Sequence, residues 1–292
     1  MELLACAWGR SHGVAALGRD FLDPWLANEP PFVLSDAFPG DSIPAPAALS
    51  LLRDWPREDR KKVKRTLWLT PDDFSAVQSG SRPGLAIMPA TVENHVRLRS
   101  TIPRASVEKG DTVELFEIPY STLSNPNAGL TVLARATRHG LQVLMESLEM
   151  LGRTGFGADA SVGHGGFTTR EDPAPWGQLD DVPNANGFVA LSTYQPGPGD
   201  PVHGYWQTFV KYGKMAPEFH GSVVFKRPQV MLKPGACFRT NGRPGPYYGT
   251  SIRSADLLGD RGQDALAARG VYPVQAAFAL AVPMRWPTEE TA

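Results

Sequence analysis

The sequence predicts an α+β protein of two domains, and three observations carry that prediction. Its 292 residues are long for one core and comfortable for two. Its 27 prolines and 29 glycines imply many turns around modest regular structure. A first half that mixes helical and extended patterns gives way, past a proline-rich stretch at 173–186, to a second half that is mostly β. The expected domains are 1–172 and 187–292.

Residues 1–26 place Leu4, Ala7, Trp8, Ala15, Leu17, Phe21, Leu22 and Trp25 close to helical spacing, with a break between Gly9 and Gly13. Phe32-Val33-Leu34 is a short extended run, and Ser35 to Asp41 has turn chemistry throughout. From Arg57 to Arg65, six of nine residues are basic, which reads as a solvated helical face or as a binding patch. Leu67 to Leu69 reads as a strand and Pro71 to Phe74 as a helix start, followed by a connection over 78–91. Asn94 to Arg99 alternates, so as a strand it sets His95, Arg97 and Arg99 on one face. Two arginines so placed either grip a phosphate chain or guard a sheet edge. Val113 to Ile118 and Leu130 to Ala134 are predicted strands, with a turn at Asn125-Pro126 between them. Leu141, Leu144, Met145, Leu148 and Leu151 then mark an amphipathic helix ended by Gly152. Helix, strands, helix and glycine loop is the order of a ferredoxin-like βαββαβ unit without its first strand. In the second half, strands are predicted at Phe188 to Tyr194, Tyr205 to Val210, Val223 to Phe225, Val230 to Leu232 and Phe278 to Met284. Weak helical signals lie at Ser254 to Leu258 and Asp264 to Arg269.

Bulk properties exclude several classes. A hydrophobic content of 42% with 20% charged residues reads as soluble and globular. No stretch is apolar and long enough to span a bilayer, and no secretory signal opens the chain, so the expected location is the cytoplasm. A net charge of −1 and a pI of about 6.6 confine any nucleic-acid site to a local patch. Cys6 and Cys237 build neither a disulfide framework nor a zinc site, and read as two buried thiols.

The most informative segment follows the amphipathic helix. Six of the fifteen positions from Gly152 to Gly166 are glycine. Such a cluster suits positive φ or close backbone approach, and its N–H groups suit phosphate oxygens. Gly155-x-Gly157-x-x-Ala160, with Asp180 beyond, mimics a dinucleotide fingerprint, but a helix precedes it where a strand is needed. No P-loop occurs. Asp159-Ala-Ser161-Val-Gly163-His164 lacks the glycine two residues before the serine that a nucleophile elbow needs. His12, His95, His139, His164, His203 and His220 show no metal-binding spacing, so no metal or cofactor is expected. A histidine beside such a loop can serve metal-free RNA cleavage, with His139 and His164 the candidates, or simply bond a phosphate. Lys211-Tyr212-Gly213-Lys214, Lys226-Arg227 and Lys233 mix basic with aromatic and apolar residues, as single-stranded RNA sites do and as packed cores do.

Together, five segments resemble one family. Ser35-Asp36-Ala37-Phe38-Pro39, Asn94 to Arg99 followed by Leu115-Phe116-Glu117, the loop Gly155-Phe-Gly157-x-x-x-Ser161-x-Gly163-x-Gly165-x-Phe167, Lys211 to Lys214, and Pro228 to Gly235 are similar to the fourth subunit of the type III-A Csm CRISPR effector complex. That subunit is a member of the RAMP superfamily, marked by this glycine loop. The resemblance implies two tandem ferredoxin-like (RRM-like) domains and a non-catalytic, RNA-binding part in antiviral defence. It implies a grip on the 5′ handle of the crRNA and contact with the large polymerase-like subunit and the backbone RAMP subunit. By position, Gly155, Gly157, Ser161, Gly163, His164 and Gly165 inherit the RNA-contacting loop, with Arg97 and Arg99 beside it and Lys211 and Lys214 as further contacts. A related alternative is a metal-independent RAMP endoribonuclease that processes precursor crRNA. The chain departs from the family at its start: members open with a β-strand, whereas this sequence begins within the first helix. Without that central strand, the neighbouring strands' edges are expected to be exposed.

Overall fold

The computed structural model describes residues 1–47, 49–51, 55–85, 92–100, 115–124, 129–157, 159–172, 176–215, 225–268 and 270–287. The predicted Asn125-Pro126 turn lies outside them, as do Val113, Val223, Val224, His220, Arg269 and parts of the predicted connections at 78–91 and 173–186.

The first helix, α1 (Glu2–Leu17), is two helical pieces joined at Gly13, whose φ of +85° no helix interior adopts. The break reverses the chain. A Cβ on Gly9 would lie 3.1 Å from Leu17 Cδ2, and Trp8 Nε1 donates to Asp20 at 3.1 Å, contacts that residues about 12 Å or more apart along a straight helix cannot make. A π-helical turn (Gly18–Leu22) leads into α2 (Asp23–Leu26). There follow β1 (Phe32–Leu34), β2 (Phe38–Pro39), β3 (Ile43–Pro44), α3 (Arg60–Arg65), β4 (Trp68–Leu69) and α4 (Pro71–Gln78). The basic run becomes α3, with Val63 buried and its Lys and Arg side chains exposed around it. The start of α4 follows from Thr70-Pro71-Asp72-Asp73. Thr70 Oγ1 accepts from Asp73 N at 3.2 Å, Pro71 needs no partner at N1, and two carboxylates face the positive end of the helix.

A long hairpin comes next, β5 (Val92–Ser100) against β6 (Leu115–Leu123), then β7 (Leu130–Thr131), β8 (Ala134–Ala136) and α5 (Arg138–Thr154). Thr137 caps α5 by accepting from Gly140 N at 3.0 Å. The helix runs past Gly152, where the sequence placed its end, and stops at Gly155, whose φ is +88°. Among the described residues the first half pairs its strands antiparallel and in twos: β1 with β8, β2 with β7, β3 with β4, β5 with β6. β8 therefore has β1 as its one partner there, and Ala134 and Ala136 are exposed.

The second half supplies β9 (Gly187–Ala190), β10 (Gly204–Tyr205), β11 (Thr208–Lys211), β12 (Gln229–Leu232), β13 (Cys237–Arg239), β14 (Tyr247–Ile252), α6 (Ser254–Leu257), α7 (Asp260–Ala267) and β15 (Gln275–Met284). Five of these strands form an antiparallel sheet in the order β10-β13-β9-β15-β14. The pleat sorts its residues by parity. Val189, Cys237, Phe278, Leu280, Val282 and Met284 join the core of the first half, with Trp8, Phe32 and Phe74. Phe188, Phe238, Ala279 and Ala281 build a second cluster with Tyr194 and Leu232 on the opposite face. Polar bonds also join the halves: Gln78 Nε2 donates to Leu179 O at 2.9 Å and Pro283 O at 2.7 Å, and Asp36 accepts from Thr193 N and Oγ1 at 2.9 and 2.7 Å. The mixed α+β architecture is the one the sequence predicts. Of the two cysteines only Cys237 is buried; Cys6 is exposed, because it falls on the outer side of α1 while Leu4 and Trp8 face inward. Among the described residues, no helix is long and apolar enough to cross a membrane.

Candidate nucleic-acid interface

The glycine loop leaves the last turn of α5 and returns to it. Phe156 N donates to Gly165 O at 2.8 Å, and Phe167 N donates to Gly152 O at 3.2 Å. At this closure the glycines are a packing requirement. A Cβ on Gly152 would overlap the carbonyl oxygen of Phe167, one on Gly155 that of His164, and one on Gly165 that of Phe156. Gly157 (φ +118°) and Gly163 (φ +89°) differ, because a Cβ there meets nothing within 4 Å among the described residues. Their need is conformational alone. Ser161 lies in a single 3-10 turn, Ala160–Val162.

Sequence reasoning expects the loop's amides to face outward, and the structure commits several of them inward. Val162 N and His164 N both donate to Asp159 O, at 3.1 and 3.2 Å, and Gly163 N donates to Ala160 O at 3.1 Å. Gly157, Gly165 and Gly166 donate their amides to no protein acceptor among the described residues. Around these the rim is apolar and open: Phe156 is 62% exposed, Val162 61% and Phe167 37%. The His164 side chain is exposed as well.

The β5–β6 hairpin reaches this loop. Its register pairs His95 with Tyr120, Arg97 with Ile118 and Arg99 with Phe116, so these six share a face. His95 stacks on Tyr120 with ring centroids 5.2 Å apart, and the Arg97 guanidinium lies 5.1 Å from the same ring. Arg99 Nη2 pairs with Asp159 Oδ2 at 3.1 Å. That ion pair joins the basic, aromatic face of the hairpin to the glycine loop. Phe116, Tyr120 and Asp159 are the members that sequence reasoning misses. Tyr120 lies just past the predicted end of its strand, and Asp159 carries the opposite sign to the residues sought.

Other candidates stand apart. Lys211 is exposed at the end of β11, and Lys214 Nζ lies 5.5 Å from the Phe225 ring. No contact among the described residues joins either lysine to the loop. Lys226 is buried and bonded to Glu2 Oε1 at 2.8 Å, which spends its charge inside the protein. His164 lies within the loop, whereas His139 stands away from it. His139 lies in the first turn of α5 and the loop follows its last, about 20 Å away along the helix. His139 Nε2 sits 3.2 Å from the buried carboxylate of Asp20, which also accepts from Arg19 and Trp8. The Arg19 hydrogen bond is the main cause that lowers the Asp20 pKa to about 2, with those of His139 and Trp8 acting in the same direction.

No protein-family model and no curated protein sequence matches the chain. Solved structures do. A Csm1–Csm4 cassette in complex with cA4 aligns at 14% identity over 98% of this chain and 90% of the matched chain, with a TM-score of 0.61. A Csm3–Csm4 subcomplex of the type III-A CRISPR–Cas interference complex aligns at 12% identity over 97% of this chain and 92% of its counterpart, with a TM-score of 0.58. Csm4 is the subunit common to both. The chain has the Csm4 fold. The likeness covers nearly the whole of this chain. At these identities it is a likeness of fold, so the chemistry of the site rests on this chain's own residues.

Proposed function

We propose that this chain is a non-catalytic, RNA-binding subunit of a type III-A CRISPR effector complex, holding the 5′ handle of the crRNA between its glycine loop and the basic face of the β5–β6 hairpin. In this reading its two halves are tandem ferredoxin-like RAMP domains. It links the large polymerase-like subunit to the backbone subunit and works in antiviral defence in the cytoplasm. The observation that carries the reading is the Arg99–Asp159 pair, which joins the hairpin face bearing Arg97, Arg99, Phe116 and Tyr120 to the glycine loop on a Csm4 fold. Arginine holds phosphate while aromatic faces stack on unpaired bases, the chemistry of single-stranded RNA binding.

The chain, co-expressed with its genomic neighbours and purified by a tag on this subunit, is expected to retain RNAs that share one 5′ handle followed by variable spacers. Random cellular RNA, or none, would remove the basis of the reading. The Arg97→Ala, Arg99→Ala double variant is expected to lose RNA at all sequences alike. Its slope of log affinity against log salt should flatten by about 0.7 for each phosphate no longer neutralised. A variant that keeps both affinity and slope would take the hairpin out of the interface.

A further inference from the structure

We propose that the Asp159 carboxylate is the loop's own stand-in for an RNA phosphate: it occupies the site's cation, Arg99, while RNA is absent, and yields it when a phosphate arrives. The inference rests on the RNA-clamp reading above and adds to it a residue that opposes binding.

Two independent contacts converge on this residue. Its carboxylate Oδ2 is 3.1 Å from Arg99 Nη2. Its main-chain oxygen accepts from Val162 N at 3.1 Å and from His164 N at 3.2 Å. Those amides flank Gly163, which adopts the left-handed conformation directly after a right-handed 3-10 turn. Such a succession turns neighbouring N–H groups toward one point and forms a concave anion seat. Here the seat is filled from within. The main-chain bonds thus pin the backbone of Asp159 while its carboxylate holds the cation, and the carboxylate and its arginine are each about one-third exposed, 32% and 31%, so the ion pair remains open to exchange.

A phosphate can take two of the Arg99 N–H groups at once. Arg97 lies two residues along on the same face, so a phosphodiester chain meets two cations where Asp159 meets one. A carboxylate that stayed in place beside the incoming phosphate would repel it. Displacement of the side chain removes that repulsion and leaves the loop's main-chain bonds in place. An orienting role, in which Asp159 holds Arg99 in position for RNA, predicts the opposite sign on removal.

The test is fluorescence anisotropy of the full-length chain with a short labelled oligouridylate, comparing wild type, Asp159→Asn, Arg99→Ala and the double variant. Asp159→Asn is expected to bind about three- to fivefold tighter, the scale of one partly exposed ion pair. Arg99→Ala should bind more weakly, and most of the gain from Asp159→Asn should vanish once Arg99 is gone. Asp159→Ser, which cannot mimic the carboxylate's shape, should repeat the gain. Equal or weaker binding by both Asp159 variants, with Arg99→Ala still weakened, overturns the stand-in and leaves the clamp intact. Wild-type protein that binds no RNA overturns both.

Discussion

Gly165→Val is expected to release bound RNA by more than tenfold and to open the 152–167 loop to protease, whereas Gly157→Val and Gly163→Val weaken RNA retention with the loop still closed. The difference follows from what each new Cβ meets. At Gly165 it overlaps the carbonyl oxygen of Phe156, on the residue whose own N–H donates to Gly165 O. That collision is with backbone on the opposite limb of the loop, so no side chain can swing aside, and φ at Gly165 is +75° besides. Closure of the loop and the valine cannot coexist. At Gly157 and Gly163 the space is open among the described residues, and the cost is that of the left-handed backbone, about 1–2 kcal/mol. A β-branched side chain there also stands between the loop and an approaching strand. Limited proteolysis scores closure, and the RNA recovered with the tagged subunit scores binding. Protection and full RNA retention in Gly165→Val would show that closure is dispensable. Full retention in Gly157→Val and Gly163→Val would reduce the loop to a structural turn.

How far the sequence reveals this arrangement depends on the range of the interactions involved. The amphipathic stripe of α5 is legible because helix periodicity is local, and Leu144 and Leu151 are indeed buried. The glycine cluster is legible as a loop, but the reason for half of it is not. Gly152, Gly155 and Gly165 are dictated by the loop's own returning limb, which sequence does not display, and amides expected to await phosphate are committed to Asp159 and Ala160. The alternation that puts His95, Arg97 and Arg99 on one face is legible. The ion pair that brings this face to the loop spans sixty residues of sequence and leaves no pattern. In the first helix, spacing reveals a break near Gly13 but not the reversal that lets Trp8 meet Asp20. β13 and β14 escape prediction because one is only three residues long and the other contains Gly249 at φ +111°, behind Pro244 and Pro246. Both are strands by virtue of their neighbours.

The reversal at Gly13 also explains the second large expected effect, at Asp20. Asp20→Ala is expected to cost about 3 kcal/mol of stability, because it removes the acceptor through which α1, the turn after it and α5 are joined. The carboxylate is 1% exposed and accepts from Arg19 Nε and Nη2, both at 2.8 Å, from Trp8 Nε1 at 3.1 Å and from His139 Nε2 at 3.2 Å. Truncation strands the Trp8 N–H in the core without an acceptor. The sign of the pH dependence follows from the pKa, held at about 2 against an ordinary 3.8, chiefly by the Arg19 hydrogen bond. A depressed carboxylate stabilises the fold fully above pH 3.8, and the contribution fades as pH falls through about 2. For this shift the contribution is about 2 kcal/mol. Urea unfolding at pH 5 and at pH 2.5 measures it: wild type should lose most of this increment between the two, while Asp20→Asn, which cannot titrate, should not. An identical pH response in both proteins would remove Asp20 from the account. His139→Ala separates structure from chemistry at the same place. If His139 serves to bond Asp20, its loss lowers stability by about 1 kcal/mol and leaves RNA retention intact. If instead His139→Ala abolishes a metal-free RNA cleavage present in the wild type while binding persists, the clamp is also an endoribonuclease, and the non-catalytic reading falls.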